Sequence, residues 1–115
     1  MRRVLLFGGS FNPVHCGHLI VARSAAEQLG AERVILIPSA RPPHKLGQAL
    51  APAEVRLELC RLAVSDEPLF AVSDWELRQS GPNYTLLTVR RFREELGEDV
   101  TLYWLVGMDS LVELA

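Results

Sequence analysis

Val4-Leu5-Leu6-Phe7-Gly8-Gly9-Ser10-Phe11-Asn12-Pro13-Val14-His15-Cys16-Gly17-His18-Leu19 begins as an unbroken apolar run, passes through small and polar residues, and ends in a helical pattern. Four apolar residues in a row, Val4 to Phe7, suit a strand buried on both faces of a parallel sheet. From Gly17 to Leu29 the residues Leu19, Ile20, Ala22, Ala26 and Leu29 recur at helical spacing, and Gly30 follows as a C-cap. A strand that hands over to a helix through such a loop makes a phosphate site. The first helical amides have no partner within the helix and sit at the positive end of its dipole.

The same alternation continues outward. Arg33 to Pro38, with Val34-Ile35-Leu36-Ile37 at its centre, reads as a second buried strand, and Ser39 to Leu50 as a long loop. Pro52 opens a helix reaching about Ser65, with Val55, Leu59, Leu62 and Ala63 on its inner face. Phe70 to Trp75 is a third strand. Gly81-Pro82-Asn83 is a turn whose Asn83 caps a helix from Tyr84 to about Leu96, ended by Gly97. Val100 to Val106 is a fourth strand, and Asp109 to Leu114 begins another helix. This order predicts an α/β fold, a Rossmann-like doubly wound parallel sheet. If the strands lie in the order 3-2-1-4, the loops Gly8 to His18 and Gly107 to Ser110 face one crevice at the topological switch point.

With 115 residues, 49% of them hydrophobic, the chain can bury one core, which predicts a single domain or part of one. A formal net charge of -2 gives no general attraction to nucleic acid or to an anionic membrane, so any polyanion must be held locally. The two cysteines, Cys16 and Cys60, are far apart and suit a reduced, cytoplasmic protein. The apolar run after Met1-Arg2-Arg3 is broken too early for a signal peptide, and no stretch is long enough to span a bilayer.

His15 and His18, three residues apart across Gly17, share a face if the helix begins near residue 16. Two imidazoles there can donate hydrogen bonds to phosphate oxygens and, when protonated, offset charge developing in a transition state. A zinc site lacks the further ligands it would need. Gly8, Gly9 and Ser10 are compatible with an ordinary tight turn as well as with close approach to a ligand. Ser10, Phe11 and Pro13 break any GxGxxG pattern, and no GK[ST] is present. Trp104, within a strand, is expected in the core, and Cys16 is expected to be tucked away.

The stretch from Gly8 to His18 resembles the GxFxPxHxGH signature of the nucleotidylyltransferase superfamily. Arg41-Pro42-Pro43-His44-Lys45, Asn83-Tyr84-Thr85 and Leu105-Val106-Gly107-Met108-Asp109-Ser110 are similar, in order and spacing, to stretches of bacterial nicotinate mononucleotide adenylyltransferases. The resemblance covers essentially the whole chain. It implies transfer of the adenylyl group of ATP to nicotinate mononucleotide, giving deamido-NAD and pyrophosphate with Mg²⁺. It implies catalytic roles for His15, His18 and Lys45, and an ATP site of Gly8, Gly9, Ser10, Phe11, His15, His18, Gly107 and Asp109. Lys45 and Thr85 would face nicotinate mononucleotide; no protein metal ligand, nucleic acid or membrane partner is implied.

The family pattern continues past the point where this sequence stops, through an aromatic pair, another strand and an ISSTxxR-like motif. Residues 1–115 are therefore expected to be an N-terminal fragment of one nucleotidylyltransferase domain, with the C-terminal part of the fold missing. Such a chain should show little adenylyltransferase activity and should cover its open sheet edge by association into a homo-oligomer. The rivals are phosphopantetheine adenylyltransferase, which usually has Thr at the position of His15, and a catalytically impaired nucleotide-binding module.

Overall fold

The structure, a computed structural model, describes residues 2–11, 13–39, 51–79 and 84–106. Strand β1 (Arg2–Gly9) leads to helix α1 (Cys16–Leu29), strand β2 (Arg33–Pro38), helix α2 (Ala53–Ala63), strand β3 (Phe70–Val72), helix α3 (Thr85–Leu96) and strand β4 (Val100–Val106). The four strands are parallel, in the order β3-β2-β1-β4. β1 is therefore central, and the carboxyl ends of its two neighbours flank its own: Gly9 pairs with Pro38 and Gly8 with Val106. The switch point lies between β1 and β4, as the order 3-2-1-4 requires.

Alternation along the strands divides the core in two. Leu5, Phe7, Val34 and Leu36 pack with Ala22 and Ala26 of α1 and Cys60 of α2 on one face. Val4, Leu6, Ile35 and Ile37 pack with Phe92 of α3 and Val100 on the other. Because both faces are covered, β1 and β2 read as continuous apolar runs. α1 begins at Cys16, one residue before Gly17, and ends at Gly30 in the left-handed conformation with φ 68°. Ile20, expected inside, is exposed on its outer side.

Three further expectations are corrected. The inner face of α2 is formed by Arg56 and Cys60, while Val55, Leu59 and Leu62 are exposed, Leu62 by 62%. The turn of the helix is set by Arg56, whose guanidinium finds backbone carbonyls inside. β3 stops at Val72 rather than reaching Trp75. Ser73 N still donates to Leu36 O at 2.8 Å, but the Ser73 hydroxyl then accepts from Trp75 N, and Leu77 N donates to Asp74 O. The chain thus turns into one turn of 3-10 helix, Glu76–Arg78. Cys16 is exposed, not tucked away, whereas Cys60 is buried and burial pushes its thiol up to about 11. At mildly alkaline pH a thiol reagent should modify one cysteine per folded chain and two after unfolding; rapid double modification of the folded chain would contradict this burial. α3 starts at Thr85 rather than Tyr84, and its N-cap is Tyr84 in extended conformation with no side-chain cap hydrogen bond, in place of the expected Asn83; Asn83 itself and the helix from Asp109 lie outside the described residues.

Trp104 packs against the α3-side cluster, and its indole covers Gly8. A Cβ on Gly8 would fall 2.7 Å from Trp104 Cη2 and closer still to Cζ2. Gly8→Ala is expected to destabilise the chain by about 1–3 kcal/mol through overpacking. Adding Trp104→Leu should recover much of the loss in a denaturant melt, and additive losses would break the link between the two positions.

Candidate active site

The loop between β1 and α1 is built around ring contacts. Phe11 is the non-glycine residue with positive φ, 47°, among the described residues, and its side chain is buried. Its ring meets Phe7 edge-on at 5.2 Å and His18 at 5.2 Å, so the cost of the backbone turn is offset by packing against the core. His18 is held from below by these two phenyl rings, with Phe7 at 6.0 Å.

His15 occupies the N-cap of α1, and His18 is the third residue of the helix. Gly17 N donates to His15 Nδ1 at 3.1 Å, and His15 N donates to His18 Nδ1 at 3.0 Å. This is a capping box in which imidazoles replace the usual hydroxyl and carboxylate. The rings lie 3.9 Å apart between centroids, tilted by 33°. A nitrogen that accepts a backbone N–H carries no proton, so each neutral ring holds its proton at Nε2. With Nδ1 committed to the backbone, Nε2 is the nitrogen from which each ring can donate. The requirement for glycine between them is also geometric: a Cβ on Gly17 would sit 2.8 Å from His15 Cε1 and 2.9 Å from its Nδ1. Together with the dipole of α1, this makes a cradle for an anion at the carboxyl end of the central strand.

Gly8, Gly9, Ser10, Phe11, His15 and His18 are thus brought together in one loop. Gly8 and Gly9 are still strand residues, and of these two the one crowded by a neighbour is Gly8, through Trp104. Thr85 is the first residue of α3. Lys45, Gly107 and Asp109 lie outside the described residues.

A buried polar network that sequence reasoning missed lies beneath the loop. Arg56, 2% exposed, donates from its guanidinium to Ser10 O at 2.8 Å, Ser39 O at 2.7 Å and Ala51 O at 2.8 Å. Burial lowers its pKa from the usual arginine value, though arginine remains a cation at neutral pH. Glu76 is buried, accepts a short hydrogen bond from Thr88 Oγ1 of α3, and is also hydrogen-bonded to the Ser39 side chain. No spacing rule marks an inward arginine; the one cue is that Cys60, four residues on and so on the same face, is apolar and lies off the Val55-Leu59-Leu62 stripe.

Burial pushes the Glu76 carboxyl upward, opposed by the hydrogen bonds from Thr88 and Ser39. The folded state then holds a proton that the unfolded state has released, so stability falls as pH rises from the ordinary carboxylate range through the raised value. On lowering the pH from neutrality into the ordinary carboxylate range, the melting temperature of the wild type should rise relative to Glu76→Gln, whose amide stays neutral. Parallel curves would show that Glu76 ionises as it does in water.

A probable nicotinate-nucleotide adenylyltransferase of Symbiobacterium thermophilum is 46% identical over 114 residues, covering 99% of this chain and 54% of its own length. One from Thermus thermophilus is 46% identical over 108 residues, covering 94% of this chain and 56% of its own. The chain spans about half the length of these relatives. A solved structure, the Plasmodium falciparum nicotinic acid mononucleotide adenylyltransferase complexed with NaAD, superposes with a TM-score of 0.70 at 14% identity over 90% of this chain and 51% of that one, a likeness of fold. Among the described residues no helix is long and apolar enough to cross a membrane. Residues 6–114 match the cytidylyltransferase-like family, a span that runs from inside β1 past β4 and takes in the whole imidazole cradle, and the chain belongs to that family.

Proposed function

We propose that this chain carries the nucleotide-binding part of a nicotinate-nucleotide adenylyltransferase, which transfers the adenylyl group of ATP to nicotinate mononucleotide and releases pyrophosphate. The observation that carries the reading is the pair of stacked imidazoles, each with Nδ1 on a backbone amide, at the start of the helix that follows the central strand. The names of its relatives support the choice of substrates.

In this reaction a phosphate oxygen of the mononucleotide attacks the α-phosphorus of ATP, and the bond from that phosphorus to the bridging oxygen breaks as pyrophosphate departs. The nucleophile is already an anion, so no general base is needed. Catalysis reduces to in-line placement and to stabilising charge on the α-phosphate and the leaving group. His15 and His18 would donate from Nε2 to these oxygens, and the α1 amides would add the field of the helix terminus. Gly8, Gly9, Ser10 and Phe11 shape the floor of the site. Lys45, Gly107 and Asp109 are proposed to complete it, with Thr85 and Lys45 on the mononucleotide side.

Among the described residues no group of three His, Cys, Asp or Glu could hold a metal ion. Mg²⁺ is proposed to enter with the substrate, as its complex with ATP.

The test is a pyrophosphate-release assay with ATP and each of three acceptors: nicotinate mononucleotide, nicotinamide mononucleotide and phosphopantetheine. Slow release that needs nicotinate mononucleotide supports the reading. Preference for either other acceptor, or no binding of ATP in calorimetry, would overturn it.

A further inference from the structure

Arg56 does more than fill the space under the loop. Its guanidinium gathers three backbone carbonyls from three places: Ser10, where β1 has just ended; Ser39, just past the end of β2; and Ala51, two residues before α2 begins. Two of these ends are also tied directly, since Ser39 N donates to Gly9 O at 2.9 Å. All three acceptors of Arg56 are neutral carbonyls. Nε and Nη1 of the cation are thus committed to the backbone, none of these three acceptors being a carboxylate, and the guanidinium stands immediately behind the loop that leads to His15 and His18.

We infer that Arg56 is a positioning residue: by holding the Ser10, Ser39 and Ala51 carbonyls at once, it fixes the backbone of the phosphate loop in the shape that binds a nucleoside triphosphate. Only a planar fork with several fixed donors can serve three carbonyls in this way. An ammonium keeps the charge but concentrates its donors on one atom. The network continues on the far side of Ser39, whose side chain meets Glu76, which in turn meets Thr88 of α3. The loop shape is therefore set from the sheet interior and from two helices as well as by the loop's own imidazole cap. The inference rests on the triphosphate reading above for its ligand, but the loop geometry can be tested without one.

Arg56→Lys separates the fork from the charge. Amide hydrogen exchange, measured well below the melting temperature, should show protection at His15, Gly17 and His18 falling at least about tenfold, with the Val4–Phe7 and Phe92 amides within about twofold of wild type. Mg·ATP affinity by calorimetry should fall about tenfold. Loop protection within twofold of wild type overturns the inference. So does an equal loss at the reference amides, which would make Arg56 a purely structural residue, and so does a loosened loop with unchanged ATP affinity. Should Arg56→Lys fail to fold, the wild-type chain decides. Its Arg56 Nε–H resonance is expected to be slow to exchange and to shift on addition of Mg·ATP, and a resonance unmoved at saturation overturns the inference. If the wild type binds no ATP, the functional reading fails while the exchange comparison still judges the clamp.

Discussion

His18→Ala is expected to lower pyrophosphate release by about 10²- to 10³-fold, the loss typical when one preorganised donor to a developing oxyanion is removed. The substitution takes away more than a donor, because His18 Nδ1 also accepts the His15 amide and the ring rests on Phe11. Two companion variants separate these roles. Asparagine has a carbonyl at about the position of Nδ1, so His18→Asn should keep the cap and the melting temperature while losing the activity. Glutamine reaches toward the position of Nε2, so His18→Gln should retain part of the activity at some cost in the cap. If His18→Asn keeps wild-type turnover, the Nε2 donor is not part of the chemistry.

Gly17→Ala is expected to move stability and function in opposite directions. Alanine in place of glycine within a helix usually gains up to about 1 kcal/mol, so the melting temperature should hold or rise slightly. The new Cβ, however, would intrude on His15 Cε1 and Nδ1. The ring, exposed and free to rotate away, must leave Gly17 N and its place against His18. ATP affinity should then fall by about 10- to 100-fold in calorimetry, an effect of a few kcal/mol at most, as expected when one well-placed donor is lost. A variant that binds ATP as the wild type does would show that the stacked pair is incidental to binding.

How much of this was legible in the sequence depends on what each residue is held by. β1, β2 and α1 were readable because both faces of the central strands are covered, so burial alone writes the pattern into Val4–Phe7 and Val34–Ile37. The strand order did not follow from that alternation: 3-2-1-4 is the common order of such sheets, and it is the order found. The face of α2 was not readable: Val55, Leu59 and Leu62 make a better apolar stripe than Arg56 and Cys60, and the orientation is decided by three carbonyls from other segments. β3 was read too long because a serine side chain competing for the Trp75 amide leaves no hydrophobic signal. For the site, the loop and its two histidines were visible, but not which nitrogen of each ring is committed to the backbone. That depends on the helix starting at Cys16, one residue earlier than the apolar spacing suggests.

The central place of β1 has a consequence for how the molecule is made. Its partner on one side, β2, emerges soon after it, but its partner on the other, β4, is almost the whole chain away, with Arg2 pairing with Val100. At ordinary rates of translation the gap between completing β2 and completing β4 is roughly several seconds. During that interval Val4-Leu5-Leu6-Phe7 presents an apolar edge with no neighbour, a template for pairing with other nascent chains. Closing such a distant contact also makes refolding slow for a chain of this size. The strand that positions the phosphate loop is therefore the part of the newborn chain most in need of a chaperone.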